Sequence, residues 1–477
     1  MRVVGRVSVP GRTRWRQAGF VALVLLLAAA LAVGAAALYA TRTGSPQARA
    51  GQPGAAGSGA GSGAAGPVEP PVVAPAPVLA ALDPTGAAPG PAAVAARLAG
   101  PLRDRRLGPL VSATVTDLAT GTTLFDSGGA RLAAPASTAK LTTAAAVLAS
   151  YPADHRFATR AVAGARPGEV VLVGGGDLTL SGAPPGRPAT YAGAARLADL
   201  AAAVRRTGAR PTRVLIDGSL FTGPALAPAW DPRDVSGGYV TPITALMIDG
   251  GRQPGQVARS QAPDLDAGRA FARLLGVPVQ AVARGRAAAA ATVLGEVRSP
   301  PLARILERTL LRSDNVLAEM LARQVALAEH QPASFAGAVA AVRTVLGRLG
   351  LDVAGDRLLD GSGLSASDRL SPALLVSLLR VAASAQHPEL HPLFAGLPVG
   401  GYDGTLDDRY RAGAAAAAAG AVRAKTGTLT GVSSLAGVVQ TANGRLLAFA
   451  FLAARVPGVL GAEAALDVAV AALTRVG

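Results

Sequence analysis

The sequence predicts a mixed α/β (α+β) fold, and three observations support this prediction. First, a strand at residues 111–117 and a strand at 122–125 are joined by a turn and followed by a helix. Second, two apolar strands joined by Asn443-Gly444, a hairpin signal, precede a terminal helix. Third, residues 155–295 contain short strands, glycine loops and many turns. We therefore expect one domain whose two parts flank a large inserted mixed region.

Three segments precede the predicted globular part. Residues 1–19 contain five arginines and no acid, residues 20–40 carry no charge, and residues 41–80 are rich in Gly, Ala, Ser and Pro. The uncharged stretch is long enough to span a bilayer, and the positive-inside rule places the basic segment in the cytoplasm. We expect a cytoplasmic tail, then a transmembrane anchor or a cleaved signal peptide, then a disordered linker.

The remaining chain is predicted to divide into a first domain part at 81–154, an insertion at 155–295 and a second domain part at 296–477. Cysteine is absent, which excludes disulfides, a cysteine nucleophile and thiolate metal sites. The four histidines show no metal-ligand spacing, so no metal site is expected. The net charge of +16 includes no basic runs after residue 50, which argues against a nucleic-acid partner.

The predicted elements place polar residues at their ends. The helix after the first strand pair carries apolar residues on one face, at Leu141, Ala144, Ala145 and Leu148. Ser137 and Lys140 are three residues apart at the start of this helix, so their side chains can meet. Two amphipathic helices follow the insertion, and Ser313-Asp314-Asn315 lies at their junction, where Ser313 is suited to cap the second helix. The other predicted elements are the helices at 301–311 and 314–328, the strands at 434–440 and 446–453, and the helix at 461–475.

Lysine occurs only at Lys140 and Lys425, whereas the chain contains 44 arginines. The two residue types are largely interchangeable on a solvated surface, but only lysine readily loses its proton. Both lysines lie beside hydroxyl residues, in Ser137-Thr138-Ala139-Lys140 and in Lys425-Thr426-Gly427-Thr428. Both are therefore candidates for a chemical role.

The order of the motifs is more specific than any one of them. The order is Ser-x-x-Lys at a helix start, then Ser-x-Asn at a helix junction, then Lys-Thr-Gly-Thr leading into a core strand and hairpin. It resembles the signature of penicillin-recognising serine acyltransferases. Further segments narrow the resemblance to class C low-molecular-mass penicillin-binding proteins, the D-alanyl-D-alanine carboxypeptidase/endopeptidase family. These segments are residues 425–437, Asp360-Gly361-Ser362-Gly363-Leu364-Ser365, 397–399 with Asp403-Gly404-Thr405-Leu406, and Gly174-Gly175-Gly176-Asp177. The resemblance covers about residues 90 to 475.

This resemblance implies a penicillin-recognising serine transpeptidase/β-lactamase-like catalytic domain that contains an insertion and needs no cofactor. It also implies an exported serine D-Ala-D-Ala carboxypeptidase that acts on peptidoglycan stem peptides. D-Ala–diaminopimelate endopeptidase activity is a second expected activity, and β-lactams are expected to acylate the same serine. The enzyme would lie in the cell envelope outside the cytoplasm, either anchored to the membrane by residues 20–40 or secreted.

The residue types allow a mechanism to be assigned. Ser137 needs a base to become a nucleophile, and Lys140 is the available base if it is neutral. We expect the charge of Lys425, together with partial burial, to lower the pKa of Lys140. Ser313 can relay a proton to the leaving amine, and Asn315 can hydrogen-bond the substrate amide and hold Lys140.

Substrate contacts follow from the third motif and from the insertion. Lys425 and Thr426 are expected to receive the terminal carboxylate, and Gly427 keeps the strand edge open to the ligand. The backbone N–H groups of Ser137 and Thr428 would form the oxyanion hole. By its spacing to Tyr239, Asp234 resembles the aspartate with which related enzymes bind the free ammonium of diaminopimelate. Asp231 is the alternative, and a solvated or helix-capping acid is the simpler interpretation.

Three other functions fit parts of the sequence. A β-lactamase would use the same three motifs, but no motif supplies an efficient deacylation base. A catalytically inactive wall-binding protein of the same fold is disfavoured by the intact set of Ser137, Lys140, Ser313, Asn315 and Lys425. A membrane-anchored basic protein with chance motifs is the third.

Overall fold

The computed structural model describes residues 86–477. The predicted basic tail, the membrane or signal segment at 20–40 and the linker at 41–80 lie outside the described residues. Within residues 86–477, no helix has the length and apolar character needed to cross a membrane.

Residues 86–477 form ten strands and eleven α-helices. The strands are β1 (Leu110–Asp117), β2 (Thr123–Ser127), β3 (Ala158–Ala163), β4 (Glu169–Val173), β5 (Arg213–Asp217), β6 (Val282–Arg284), β7 (Val293–Arg298), β8 (Val422–Leu429), β9 (Val432–Gln440) and β10 (Leu446–Ala454). The helices are α1 (Pro91–Leu98), α2 (Lys140–Ser150), α3 (Leu197–Arg206), α4 (Arg233–Ser236), α5 (Pro263–Leu275), α6 (Leu302–Leu311), α7 (Asn315–Ala328), α8 (Phe335–Arg348), α9 (Pro372–Ala382), α10 (Pro392–Ala395) and α11 (Val459–Leu473).

The first sheet is antiparallel and has the strand order β2-β1-β10-β9-β8. Successive side chains of a strand point to opposite faces of the sheet, and in strand β10 the side chains on both faces are buried. Phe449 and Phe451 pack into a core with α1 and α11, whereas Ala450 and Leu452 pack into a core with α2, α7 and α9. Two helical layers therefore enclose this sheet, and α9 lies directly against β1, β9 and β10.

The second sheet has the order β6-β5-β4-β3-β7 and lies between residues 158 and 298. Strands β4, β5 and β6 are parallel, because α3 connects β4 to β5 and α5 lies between β5 and β6. The sheet has its own apolar core with these two helices. The predicted mixed fold class is confirmed by the two sheets and their helices. The proposed domain boundaries at 154/155 and 295/296 stay predictions.

Three chain segments converge at the edge strand β8. A 3₁₀ turn, Ala136–Ala139, leads into α2, the junction of α6 and α7 lies at residues 312–314, and β8 carries the third motif. We expected Lys-Thr-Gly to lead into a core strand. Instead the motif lies within β8, and the turn that follows is at Thr430-Gly431, where Gly431 adopts φ +72°.

Candidate active site

The first pair of reacting residues is held at the start of α2. The Nζ of Lys140 donates to the Oγ of Ser137 at 2.9 Å, as their spacing on one helical face predicted. Ala136, directly before the serine, adopts φ +47°, a conformation that costs a non-glycine residue free energy. Ser137 is half-buried and lines a cleft, so its hydroxyl is accessible to a ligand.

Lys140 is enclosed by polar acceptors. Its Nζ also donates to the Oδ1 of Asn315 at 2.6 Å and to the backbone oxygen of Ser362 at 2.7 Å, and the residue is 1% exposed. Burial lowers the pKa of Lys140 to about 8, while the negative charges of Asp360 and Glu319 act in the opposite direction. The predicted lowering of the pKa and burial as one of its causes are thus borne out. The burial is complete, however, and the charge of Lys425 is not among the main causes.

The second lysine is held on β8. The Nζ of Lys425 donates to the Oγ of Ser313 at 3.0 Å and to the backbone oxygen of Thr426 at 2.8 Å, and the residue is fully buried. Burial lowers the pKa of Lys425, and the positive charges of Lys140 and Arg409 lower it further. Each lysine is thus paired with one serine, Lys140 with Ser137 and Lys425 with Ser313.

The helix junction carries the second motif in a constrained form. Asp314 is the N-cap of α7, since its carboxylate accepts from the backbone N–H groups of Val316 and Leu317. The interpretation of Ser313 as a cap was therefore wrong. Ser313 adopts φ +54°, which turns its hydroxyl toward Lys425 and away from the helix end.

Asp314 also ties the junction to the inserted region. Its buried carboxylate accepts from the hydroxyl of Tyr191 at 3.1 Å and lies within 3.5 Å of Arg252 and Arg259. These two positive charges oppose burial and hold the pKa of Asp314 below its usual value. Asn315 adds a second tie, because its Nδ2 donates to the backbone oxygen of Tyr239 at 3.1 Å.

Gly427 lets β8 approach the nucleophile closely. A Cβ at this position would lie 2.7 Å from the backbone oxygen of Pro135 and 3.0 Å from the backbone nitrogen of Ser137. The same oxygen of Pro135 accepts from the Oγ of Ser434 at 2.6 Å. The backbone nitrogens of Ser137 and Thr428 thus belong to two adjacent segments, and their role as an oxyanion hole stays a prediction.

A cleft of about 650 Å³ opens over these residues. Among its lining residues are most of those predicted from the sequence: Ser137, Ser313, Asn315, Thr426, Thr428 and Asp234, together with Tyr239. Lys140, Lys425 and Gly427 are buried beside the cleft and are not among the described residues that line it.

The two acids considered for side-chain recognition differ in position. Asp234 is half-buried in the cleft wall, and burial raises the pKa of its carboxyl group. Asp231 is exposed and forms an ion pair with Arg233 at 2.6 Å. The geometry therefore favours Asp234 of the two, and its role in binding substrate stays a prediction. Among residues 86–477, no group of three or more His, Cys, Asp or Glu side chains is placed to hold a metal ion.

Comparison with known proteins identifies the family. The sequence profile of the D-Ala-D-Ala carboxypeptidase 3 (S13) family matches residues 94–260 and 253–472. The chain belongs to this family. It is 42% identical to the carboxypeptidase DacB of Mycolicibacterium smegmatis over 92% of this chain and 94% of that protein. It is also 46% identical to a carboxypeptidase of Mycobacterium tuberculosis over 77% of this chain and 81% of that protein.

The fold of this S13 family member is similar to that of a solved structure. Penicillin binding protein 4 (dacB) from Haemophilus influenzae aligns with a TM-score of 0.65 at 21% identity, over 79% of this chain and 97% of that chain. The predicted family, the penicillin-recognising fold and the class of serine carboxypeptidase are thus confirmed.

Several residues of this S13 site were not predicted. Thr405 and Arg409 line the cleft, with Thr405 hydrogen-bonded to Thr426 at 2.8 Å and Arg409 paired with Asp467 at 2.6 Å. The segment Asp403-Gly404-Thr405-Leu406 was part of the resemblance, but its sequence alone assigned it no contact. Asp314 and Asp360 were likewise inside recognised motifs, and only the structure gives their partners.

Proposed function

We propose that this chain is an exported D-Ala-D-Ala carboxypeptidase that removes the terminal D-Ala of peptidoglycan stem peptides through an acyl-enzyme on Ser137. One observation carries the proposal. A buried amine with a pKa lowered to about 8, Lys140, lies 2.9 Å from a serine hydroxyl that opens on a cleft. This is the arrangement of a nucleophile with its general base.

In the acylation step, Lys140 takes the proton of Ser137 while the serine Oγ attacks the penultimate carbonyl carbon. Asn315 and Ser362 accept hydrogen bonds from Lys140 and so hold its Nζ against the serine. The negative charge that develops on the carbonyl oxygen would be stabilised by the backbone N–H groups of Ser137 and Thr428. Both reacting groups are thus oriented before the substrate arrives.

Release of D-Ala requires a proton on the departing nitrogen as the C–N bond breaks. Ser313 lines the cleft and accepts from Lys425, so it is placed to pass a proton to the amine. Water then attacks the ester carbon and gives a proton to Ser313 and Lys425, which replaces the one passed to the amine. The Oγ of Ser137 leaves with the proton that Lys140 had taken from it, and the shortened peptide is released.

The terminal carboxylate of the substrate would lie beside β8. Thr426 and Thr428 offer hydroxyl groups in the cleft, and a carboxylate beside the buried Lys425 would oppose the lowering of its pKa and favour its charged form. Arg409 adds a permanently charged group to the same wall. Lys425 would then attract the carboxylate by charge while the threonines form the hydrogen bonds.

The finer assignments belong to the same proposal. Asp234 would bind the free ammonium of a diaminopimelate side chain, which would also allow cleavage of D-Ala–diaminopimelate cross-links. β-Lactams would acylate Ser137. The enzyme would act outside the cytoplasm in the cell envelope, with residues 20–40 as a membrane anchor or a cleaved signal peptide.

Labelling with a fluorescent penicillin tests the proposal. The purified protein from residue 81 onward and the full chain should both give a long-lived covalent adduct, and Ser137→Ala should give none. Mass spectrometry of D-Ala-D-Ala pentapeptide incubated with the enzyme should show the loss of one alanine. Rapid release of the label would indicate a β-lactamase, and no labelling of the wild type would indicate an inactive protein of the same fold.

A further inference from the structure

The loop Asp360–Ser365 contacts Lys140 and the residue before Ser137 through its backbone. The carbonyl oxygen of Ser362 accepts from Lys140 at 2.7 Å. Gly363, with φ +75°, packs so closely on the residue before the nucleophile that a Cβ would overlap the backbone oxygen of Ala136. The carbonyl oxygen of Gly361 accepts from Thr143 of α2 at 2.7 Å. The loop therefore fits against the start of α2 at three points.

One side chain holds this loop in place. The carboxylate of Asp360 accepts four hydrogen bonds, from the backbone N–H groups of Ser362 (3.1 Å), Gly363 (2.6 Å) and Ser365 (2.8 Å) and from the indole N–H of Trp230 (2.7 Å). Two of these bonds reach each carboxylate oxygen. Asp360 is 1% exposed, so these donors replace water completely. A carboxylate accepts at both of its oxygens, whereas an amide of the same shape has only one accepting atom.

Burial raises the pKa of two acids beside Asp360. Burial, with the charge of Asp360 beside it, raises the pKa of Asp368 to about 9, so Asp368 is neutral near pH 7. Burial also raises the pKa of Glu319, to about 7, although its Oε1 accepts from the backbone N–H of Gly361 at 3.0 Å. Asp360 is the acid whose charge acts most strongly on Lys140. The charged or titratable groups around these two residues are Glu319, Asp314, Asp368, Asp234, Arg323 and Lys425.

We propose that Asp360 is a positioning residue of the reaction: its carboxylate fixes the loop whose Ser362 carbonyl orients the Lys140 amine and whose Gly363 supports the strained peptide before Ser137. This inference rests on the proposed function, because it assumes that Lys140 is the base for Ser137. Asp360 does not touch the substrate or the reacting atoms, and it acts through the backbone of its own loop.

The hydrogen bond from Trp230 to Asp360 also connects this loop to the wall of the cleft. It lies in the inserted region four residues before Asp234, and its indole packs edge-on against Phe335 with ring centres 5.0 Å apart. Through the bond to Asp360, the segment that forms the cleft wall at Asp234 and the loop that orients Lys140 share one anchor.

The test compares acylation by a fluorescent penicillin in Asp360→Asn, Trp230→Phe and the matched control Asp356→Asn. Asp356 is also a buried aspartate that accepts from a backbone N–H, that of Ser371 at 2.7 Å, and it is not among the acids that shift the pKa of Lys140 most strongly. The acylation rate is measured across pH for each variant, together with a thermal melt. The wild-type rate is expected to rise with pH because Lys140 must lose a proton.

Asp360→Asn should slow acylation by about a hundred-fold, because the base and the nucleophile lose their fixed geometry. It should also move the midpoint of the pH profile to lower pH, since a negative charge beside Lys140 has been removed. Loosening of the fold alone would admit water and move that midpoint upward. Asp356→Asn should retain the wild-type rate and midpoint.

A folded Asp360→Asn variant with the wild-type rate, or with a midpoint that is unchanged or higher, would overturn the inference. If this variant does not fold, Trp230→Phe decides, because it removes one hydrogen bond and keeps the aromatic packing. It should slow acylation by about threefold or more with the midpoint unchanged, and a wild-type rate in that variant would overturn the inference. Failure of the wild type to label would instead refute the proposed function.

Discussion

The Nζ of Lys140 lies 2.6 Å from the Oδ1 of Asn315, a residue 175 positions later in the chain. This single contact joins the helix that presents the nucleophile to the helix junction that presents Ser313. Asn315 in turn donates to the backbone of Tyr239 in the cleft wall. The amine of Lys140 is thus oriented by three segments that are distant in sequence. Asn315 and Ser362 contact it directly, and Tyr239 holds Asn315.

Lys140→Arg should abolish acylation and leave the fold intact. Arginine keeps the positive charge but does not lose its proton, and removal of a general base typically costs about 10²–10⁴ in rate. Penicillin labelling should therefore fall to about a thousandth of wild type, while a thermal melt stays close to it. Labelling near the wild-type level would show that Lys140 is not the base.

The acylation rate should increase with pH up to about 8 and then level off. The pKa of Lys140 is lowered to about 8, and the base must be neutral, so lowering the pH through this value protonates it and slows the reaction. Rapid-mixing measurements of penicillin acylation between acidic and mildly alkaline pH give the profile. A rate that is constant or falls over this range would contradict the assignment.

Lys425→Ala should lower both penicillin acylation and peptide cleavage. Substrates with a free terminal carboxylate should lose much more activity than amide-capped substrates, since only the former are attracted by the charge of Lys425. The measurement is kcat/KM on a matched pair of peptides. Equal losses on the two peptides would show that Lys425 does not attract the carboxylate. Its contact with Ser313 would then be its remaining role.

Gly427→Ala should nearly abolish acylation. A methyl group would press on the backbone nitrogen of Ser137 and on the oxygen of Pro135, which forces β8 away from the nucleophile. Loss of one oxyanion donor costs about 10²–10³ in rate. Gly218→Ala is the matched control, because a Cβ there meets no atom within 4 Å. Similar labelling of the two variants would show that this close approach is not needed.

Asp234→Asn should lower kcat/KM for peptides that carry a free amino group on the diaminopimelate side chain. A shielded carboxylate–ammonium contact contributes about 1.5–3 kcal/mol, which corresponds to roughly ten- to a hundred-fold. Acetylated peptides and simple penicillins should be nearly unaffected. An equal loss on all three substrates would indicate that Asp234 supports the fold.

The sequence was sufficient to predict the fold class, the family and the pairing of Ser137 with Lys140. These depend on local spacing and on the order of motifs, both of which are visible in one chain. It was insufficient for Asp314 and Asp360, because their partners come from residues such as Arg259 and Trp230 that have no fixed spacing to them. It was misleading for Ser313, since Ser-Asp at a helix start offers two caps and only tertiary contacts decide between them.

The left-handed backbone at Ala136 and Ser313 has a consequence for engineering this enzyme. Each such residue costs on the order of 1–3 kcal/mol, which the folded protein must offset by its other contacts. Glycine at position 136 would adopt this φ without the steric penalty, but it would also remove a fully buried methyl group and raise the entropy of the unfolded chain. The serine beside it would gain freedom to move. Relief of strain at this position is therefore expected to add little stability while it loosens the nucleophile.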